Sequence, residues 1–496
     1  MALLIGEIFR RNAASFPERA AASMGDAVLT YAELNAAGNA VGHALHEIGI
    51  RRGDRVVCWA DTALEILPVF VGLAKLGAVF APLNARLGVD EAREVLSLAS
   101  ASLLVADAAH AKEASLLARD EGIPLCRIGE GAGSGVDLTA AARELESDEE
   151  VSTSELVEAD PHVIFFTSGS TGRPKGVVLS HRVNWLRGHQ GVFIDEPERS
   201  VCMFPLFHMA AFTLALAAWQ TGGEIAFVAS PSADELLSAV ERRRGNRLYC
   251  IPAVWARILA ADAAAYDISS LTRIDTGTSA TPPELLHALK KRFPVATLRV
   301  YYGSTEGGAG SALSDRDVLR KPGSVGLPVP GVELRLSAEG EVCLRGELLM
   351  DGYFDDPQAT RASLVEGWYR TGDLGSLDDE GYLWITGRLR EILRTGGESV
   401  APGEVEAVLA DHPAVAEVAV VGIPDPQWGE VICAVVVPKA GAELDLEGLQ
   451  QHCEGRLARF KRPRRLELVE SLPRTAATGQ IQRTLLTERL ATRQHP

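Results

Sequence analysis

Ten consecutive residues, Thr167, Ser168, Gly169, Ser170, Thr171, Gly172, Arg173, Pro174, Lys175 and Gly176, combine hydroxyls, glycines and a placed lysine. Such a stretch suits a polyphosphate, because glycine lets the backbone approach and its N–H groups donate without side-chain entropy cost. The spacing is not that of a Walker A loop: counted from Gly169, the required Gly-Lys pair falls on Pro174-Lys175. Nor does it satisfy G-x-G-x-x-G. A plain flexible turn would need neither the hydroxyls nor the lysine. The compact apolar run Val163 to Phe166 feeds directly into this loop and predicts the strand that presents it.

The surrounding pattern implies how that strand is embedded. Between residues 30 and 125 helical stretches such as Tyr31 to Ile48 alternate with short apolar runs such as Arg55 to Ala60 and Ser102 to Ala106, which predicts a largely parallel sheet. From Gly129 to Asp160 the composition shifts to Gly, Ser and Glu and reads as an exposed linker or irregular loop. Short strands such as Glu341 to Arg345 and Tyr382 to Thr386 predict a β-rich unit over about residues 323–386. Beyond Arg388 the order is helix (Gly403 to Leu409), strand (Ala416 to Gly422), strand (Val431 to Pro438) and helix (Leu446 to Ala458). The expected fold is α/β: a large N-terminal domain of βα-layered sheets with the β-rich subdomain, residues 1–389, and a small mobile α/β C-terminal domain, residues 390–496.

Composition narrows the partners. In 496 residues, 49 Lys+Arg stand against 66 Asp+Glu, a formal net charge of −17. That balance disfavours nucleic acid and anionic lipid, so a bound polyanion must be held by local amides and a few placed cations. The seven cysteines are spread singly with no C-x-x-C pair, which fits a reduced setting. Met1 to Arg11 fits an amphipathic surface helix better than a signal peptide. The longest apolar candidates, Met209 to Trp219 and Leu67 to Leu83, are respectively too short and broken by Lys75 for a bilayer span and read as buried core. A soluble cytoplasmic protein is expected.

The string FTSGSTGRPKGV resembles the phosphate loop of the adenylate-forming superfamily, which comprises acyl-CoA synthetases, luciferases and nonribosomal-peptide adenylation domains. Further motifs follow in that family's order: Tyr31 to Leu34 (YAEL), Leu76 to Asn84 (LGAVFAPLN), Pro205 to His208 (PLFH), Tyr302-Gly303-Ser304-Thr305-Glu306 (YGSTE), Tyr369 to Asp373 (YRTGD) and Gly387 to Glu391 (GRLRE). The resemblance implies an enzyme of the fatty-acid- and coumarate-CoA ligase type. It would join a carboxylic acid to the α-phosphate of ATP with Mg²⁺, then let the thiol of CoA displace AMP.

Carried over residue by residue, the resemblance implies that Thr167, Ser168, Gly169, Ser170, Thr171, Gly172 and Lys175 bind the β,γ-phosphates, and that Glu306 helps hold Mg²⁺. Thr305 would contact the α-phosphate, Asp373 the ribose hydroxyls, and Arg388 ribose or phosphate. Gly277, Thr278, Ser279 and Tyr302, with Gly303 beside it, would frame adenine. Phe207, His208, Ala211 and Gly308 would border the acyl site, where Ala211 replaces a usual glycine and would narrow the tunnel. Arg390 takes the hinge position and Arg394 is a cation beyond it. Gly396 and Gly397 would line the pantetheine channel, and Lys461 and Arg462, in the run Arg459 to Arg465, would meet the phosphates of CoA. Each has a plainer reading: Glu306 as an acid at a helix N-terminus, Asp373 as a turn residue, His208 as a core histidine, the basic run as a solvated helix end.

One position departs from the family pattern. Where relatives carry a lysine that reaches the α-phosphate and the substrate carboxylate during adenylation, this chain reads Pro473-Arg474-Thr475-Ala476-Ala477-Thr478-Gly479-Gln480. Glutamine donates a hydrogen bond but brings no charge. The resulting expectation is weak adenylation with conversion of a preformed acyl-AMP retained, the adenylate then coming from a separate adenylating enzyme. The alternatives are a complete ligase in which Gln480 is engineered or Arg474 or Arg483 supplies the charge, an acyl-AMP ligase loading a carrier protein, and a non-catalytic adenylate binder.

Overall fold

The computed structural model describes all residues except 1, 130–134, 141–148, 152–154, 169–173, 190–195, 262–264, 392, 396–397, 426–428, 455, 475–480 and 493–496. The βα rhythm of the first half yields two sheets with parallel centres. One runs Gly352–Tyr353, Pro174–Ser180, Pro161–Ser168, Val79–Leu83, Arg55–Trp59, Leu103–Ala106, Leu125–Arg127, Val136–Asp137. The other runs Leu327–Pro328, Gly308–Leu313, Thr297–Ser304, Arg273–Gly277, Arg247–Tyr249, Arg199–Cys202, Glu224–Phe227, Ala20–Met24, Ala27–Thr30. Strands buried on both faces read as continuous apolar runs, as Val79–Leu83 does.

The core between these sheets is aromatic. Phe70 stacks on Phe212 at 4.7 Å and Phe9 meets Trp219 edge-on at 4.9 Å. Met209 to Trp219 and Leu67 to Ala78, both read as core, pack into it, and Val79, Ala81 and Leu83 join a second apolar cluster. The Tyr31-Glu33 motif is structural: Glu33 completes a capping box with Thr30 at the start of helix Tyr31–Glu47, and the Tyr31 hydroxyl donates to Gly223 O at 2.6 Å. The N-terminal helix spans Ile5–Ser15; it is amphipathic, with Ile5, Ile8 and Phe9 buried on one face and Arg10 and Arg11 exposed on the other. Lys75 does not break its helix, Ile66–Leu76; it is 6% exposed and its ammonium reaches Asn35, Asn39 and Glu150. The stretch read as a plain linker is therefore anchored at Glu150, and Val136–Asp137 within it joins the sheet edge.

The β-rich unit pairs Val332–Leu336, Glu341–Gly346, Trp368–Leu377 and Leu364–Val365 in sequence, with Leu383–Arg388 on Trp368–Leu377. Beyond it, Val415–Asp425 and Gly429–Pro438 form a long antiparallel pair whose residues alternate between two apolar clusters. Helices Pro402–Ala410 and Leu446–His452 cover one face and Arg483–Thr492 the other. The helix expected to reach Ala458 ends at His452, and Arg459–Lys461 is a 3₁₀ turn. Gly455 lowers helix propensity there, while buried Cys453 and Leu457 fix the chain to the core. Among the described residues no helix is long and apolar enough to cross a membrane.

Two histidines are buried beneath the hairpin formed by Pro161–Ser168 and Pro174–Ser180. The rings of His162 and His181 lie 4.6 Å apart; Asn184 Nδ2 donates to His162 Nδ1 and the Ile5 N–H to His181 Nδ1. Burial holds His162 well below its usual range and brings His181 down to about 4. The unfolded chain therefore takes up protons below pH 6.5 that the folded chain refuses. Stability is expected to be complete above that pH and to fall by about 1.4 kcal/mol per pH unit for each histidine below it, for His181 down to about pH 4. Urea midpoints at about pH 7 and about pH 5 test this, with a shallower slope expected in His181→Asn; equal midpoints for the wild-type chain overturn it.

Candidate active site

The hairpin that carries the glycine-rich loop pairs Thr167 with Lys175 and Ser168 with Pro174. Gly169, Ser170, Thr171 and Gly172 lie outside the described residues, as does the side chain of Ser168. Strand Gly352–Tyr353 lies along the hairpin, pairing Tyr353 with Val177. It thereby brings the Tyr353 ring beneath the Lys175 ammonium, 4.4 Å from the centroid. The Tyr353 hydroxyl donates to Glu306 Oε1 at 3.2 Å. Lys175 and Glu306, 131 positions apart in the sequence, are thus joined through one tyrosine.

Glu306 sits in a turn after strand Thr297–Ser304, closed by the Gly307 N–H donating to Ser304 Oγ at 2.9 Å. What fixes this turn is Arg187, on helix His181–Gly188. Its guanidinium, 7% exposed, donates to the carbonyls of Leu348, Thr305 and Glu306 at 2.8, 2.9 and 3.0 Å. Burial draws its pKa down to about 10, opposed by Glu306 and Asp351, so it stays charged at neutral pH. Gly308 (φ +65°) faces it, and a Cβ there would lie 3.0 Å from Arg187 Nε. Space at Gly308 thus serves the approach of Arg187.

In a second cluster, Asp373 accepts from the Tyr302 hydroxyl at 2.7 Å and pairs with Arg388 Nε at 2.9 Å. Burial raises its pKa, while Arg388 and Tyr302 pull it back. The register Asp373↔Arg388 across Trp368–Leu377 and Leu383–Arg388 sets this pair. Gly277 and Thr278 both have positive φ, +149° and +65°, and a Cβ at Gly277 would lie 2.2 Å from Tyr301 O. The chain therefore turns sharply here, leaving Ser279 exposed. Gly303 lies opposite Ala309 at a register shift.

His208 caps helix Met209–Gln220, accepting from Ala210 N–H at 3.2 Å through Nδ1, and stacks on Phe204 at 5.3 Å. Burial brings its pKa down to about 4, so it is a neutral wall residue at physiological pH. Phe207 is partly exposed beside it and Ala211 is fully buried.

In the basic run, Lys461 pairs with Glu404 at 2.6 Å and Arg462 with Glu454 at 3.2 Å. Arg483 ties Glu391 at 3.0 Å to Glu406 at 2.8 Å. Gly396, Gly397 and Gln480 lie outside the described residues, as do the side chains of Arg390 and Arg394. Asp61, Asp107 and His110 also cluster, but the ring nitrogens of His110 face Asp107 Oδ1 and Ala85 O, which accounts for that group structurally.

Sequence reasoning missed Arg187 and Tyr353. An arginine on a short helix looks like a solvated charge, and only the carbonyls it meets distinguish it.

The chain matches the AMP-binding enzyme family over residues 9–354 and the AMP-binding enzyme C-terminal domain over residues 404–478. Similar proteins include a long-chain-fatty-acid–CoA ligase of Mycobacterium tuberculosis, 34% identical over 93% of each chain. A feruloyl-CoA synthase of Amycolatopsis sp is 34% identical over 95% of this chain and 96% of that one. Among solved structures, o-succinylbenzoate CoA synthetase of Bacillus subtilis, in complex with its acyl-adenylate intermediate, gives a TM-score of 0.82 at 26% identity over 97% of each chain. With both parts of the family matched in order, the chain belongs to the AMP-binding, adenylate-forming enzymes of the acyl-CoA ligase type.

Proposed function

We propose that the protein is an acid–CoA ligase working through an acyl-adenylate, with adenylation as its weak half-reaction. The observation that supports the ligase reading is the convergence of Lys175, Tyr353 and Glu306 in one cluster and of Tyr302, Asp373 and Arg388 in another. In the first half-reaction a carboxylate oxygen would bond to the α-phosphorus of ATP and pyrophosphate would leave. In the second, the CoA sulfur would bond to the acyl carbon, AMP would leave and the thiol proton would be released.

The residues divide this work by charge. Lys175 supplies the cation of the phosphate loop, held over Tyr353. The paired Asp373 carboxylate offers an acceptor for ribose hydroxyls, oriented by Arg388 and Tyr302. The turn that carries Thr305 would place its hydroxyl at the α-phosphate, with Arg187 as the support. Glu306 Oε1 takes the Tyr353 hydroxyl, and its other oxygen has no hydrogen-bond partner among the described residues, so its carboxylate fits a Mg²⁺ ligand. When bound, that ion would offset charge on the phosphate oxygens.

Weak adenylation rests on Gln480. The two arginines that could replace the missing charge are engaged elsewhere: Arg474 with Glu417 at 2.6 Å, Arg483 with Glu391 and Glu406. ATP–pyrophosphate exchange beside thioester formation from synthetic acyl-AMP and CoA tests the reading. Slow exchange with rapid thioester formation is expected. Robust exchange sinks the weak-adenylation part, and no thioester from any adenylate sinks the ligase reading.

A further inference from the structure

The nine-stranded sheet carries a row of aromatic residues at one end. Cys202 of strand Arg199–Cys202 lies opposite Tyr249, which ends strand Arg247–Tyr249, and Tyr249 lies opposite Asp275 of Arg273–Gly277. These are the carboxyl ends of parallel strands, where open α/β sheets take their ligands. Just past them, Phe204 stacks on His208 at 5.3 Å and 18°, and Tyr249 meets Phe204 edge-on at 5.3 Å and 80°. Three rings form a continuous wall from His208 towards Gly277. At its end the Tyr249 hydroxyl lies 2.8 Å from where a Cβ of Gly277 would be, and the Tyr301 ring is 6.1 Å from that of Tyr249.

Two features of Tyr249 are unabsorbed by the chemistry above. Its side chain is only partly buried, and among the described residues its hydroxyl has no hydrogen-bond partner. Burial raises its pKa, so the hydroxyl stays protonated and able both to donate and to accept. Two residues back on the same face of its strand, Arg247, 4% exposed, pairs with Glu198 at 2.9 Å and Asp275 at 2.6 Å. A long hydrocarbon tail running on along that face would displace buried ions.

We infer that Tyr249 is a specificity-determining residue, and that the acyl site takes a compact aromatic carboxylic acid bearing a hydrogen-bonding ring substituent in preference to a straight-chain fatty acid. This rests on the acid–CoA ligase reading. The partly exposed rings of His208 and Tyr249, braced by the buried Phe204, match a flat ring, and the Tyr249 hydroxyl matches a polar group on it. An apolar tail against that hydroxyl would leave it without water or partner.

Stable sulfamoyl-adenosine analogues of 4-hydroxycinnamic, cinnamic and dodecanoic acids, titrated calorimetrically into the full chain, test this without needing turnover. The 4-hydroxycinnamoyl analogue is expected to bind at least about tenfold more tightly than the cinnamoyl one, and both more tightly than the dodecanoyl one. Tyr249→Phe should erase the first difference, and Tyr249→Ala should narrow the second by about tenfold or more. Dodecanoyl binding tightest in the wild type, an unchanged ratio in Tyr249→Phe, or no binding of any analogue overturns the inference. A protein that shows these preferences yet forms no thioester from any acid or adenylate loses the ligase reading alone. Thioester formation with selectivity indifferent to Tyr249 loses this inference alone.

Discussion

Gln480→Lys should raise ATP–pyrophosphate exchange by about 10²–10³-fold while leaving thioester formation from preformed acyl-AMP unchanged. A lysine at that point would bring a full charge to the α-phosphate and the attacking carboxylate, where glutamine offers only a neutral donor. Charge-assisted hydrogen bonds are roughly twice as strong as neutral ones, and losing one donor aimed at developing charge costs about 3–4 kcal/mol. Compensation from within the chain is opposed by the ion pairs that hold Arg474 to Glu417 and Arg483 to Glu391 and Glu406. The pair of assays separates charge from geometry. If Gln480→Lys leaves exchange as low as before, the geometry of the segment, and not the missing charge, sets the rate. If both half-reactions rise together, the lysine acts on the domain and not on the adenylation step.

Local chemistry was legible in the sequence wherever one segment carries it whole. The phosphate hairpin is flanked by its own apolar strand, and the C-terminal strands announce burial on both faces through runs such as Val431 to Pro438. The YAEL motif could be placed but not explained until Glu33 was seen capping its helix and Tyr31 reaching Gly223. What stayed hidden depends on distant partners. Arg187 meets carbonyls 118 to 161 positions away, and the role of Glu150 appears only when Lys75 is buried beside it. The basic run Arg459 to Arg465 has the same dependence: its spacing does not tell that Lys461 and Arg462 lie on Glu404 and Glu454. Periodicity likewise overran the helix after Leu446, because Gly455 and the anchoring of Leu457 compete with it.

Arg187→Met is expected to lower the ATP-dependent rate by about 10²-fold and stability by about 3–5 kcal/mol. The stability loss follows from leaving the carbonyls of Thr305, Glu306 and Leu348 in a buried site without a donor, each such group costing about 1–3 kcal/mol before relaxation. The rate loss has a different origin. Arg187 touches no substrate in this reading; it fixes the backbone of the turn that carries the Thr305 hydroxyl and the Glu306 carboxylate, and a displacement of about 1 Å there is enough for a hundredfold effect. A positioning role predicts that kcat falls more than the KM for ATP rises, and that Arg187→Lys recovers little, because a single ammonium cannot match a planar fork shared among separate carbonyls. Gly308→Ala provides an independent perturbation: its Cβ would press on Arg187 Nε and Leu348 O while strained at positive φ, and should reproduce the kcat loss in weaker form. Stability measured by urea and kcat measured at saturating ATP must both move. A variant that loses stability but keeps full kcat in its folded fraction makes Arg187 a packing residue only, and removes the support proposed here for the Thr305–Glu306 turn.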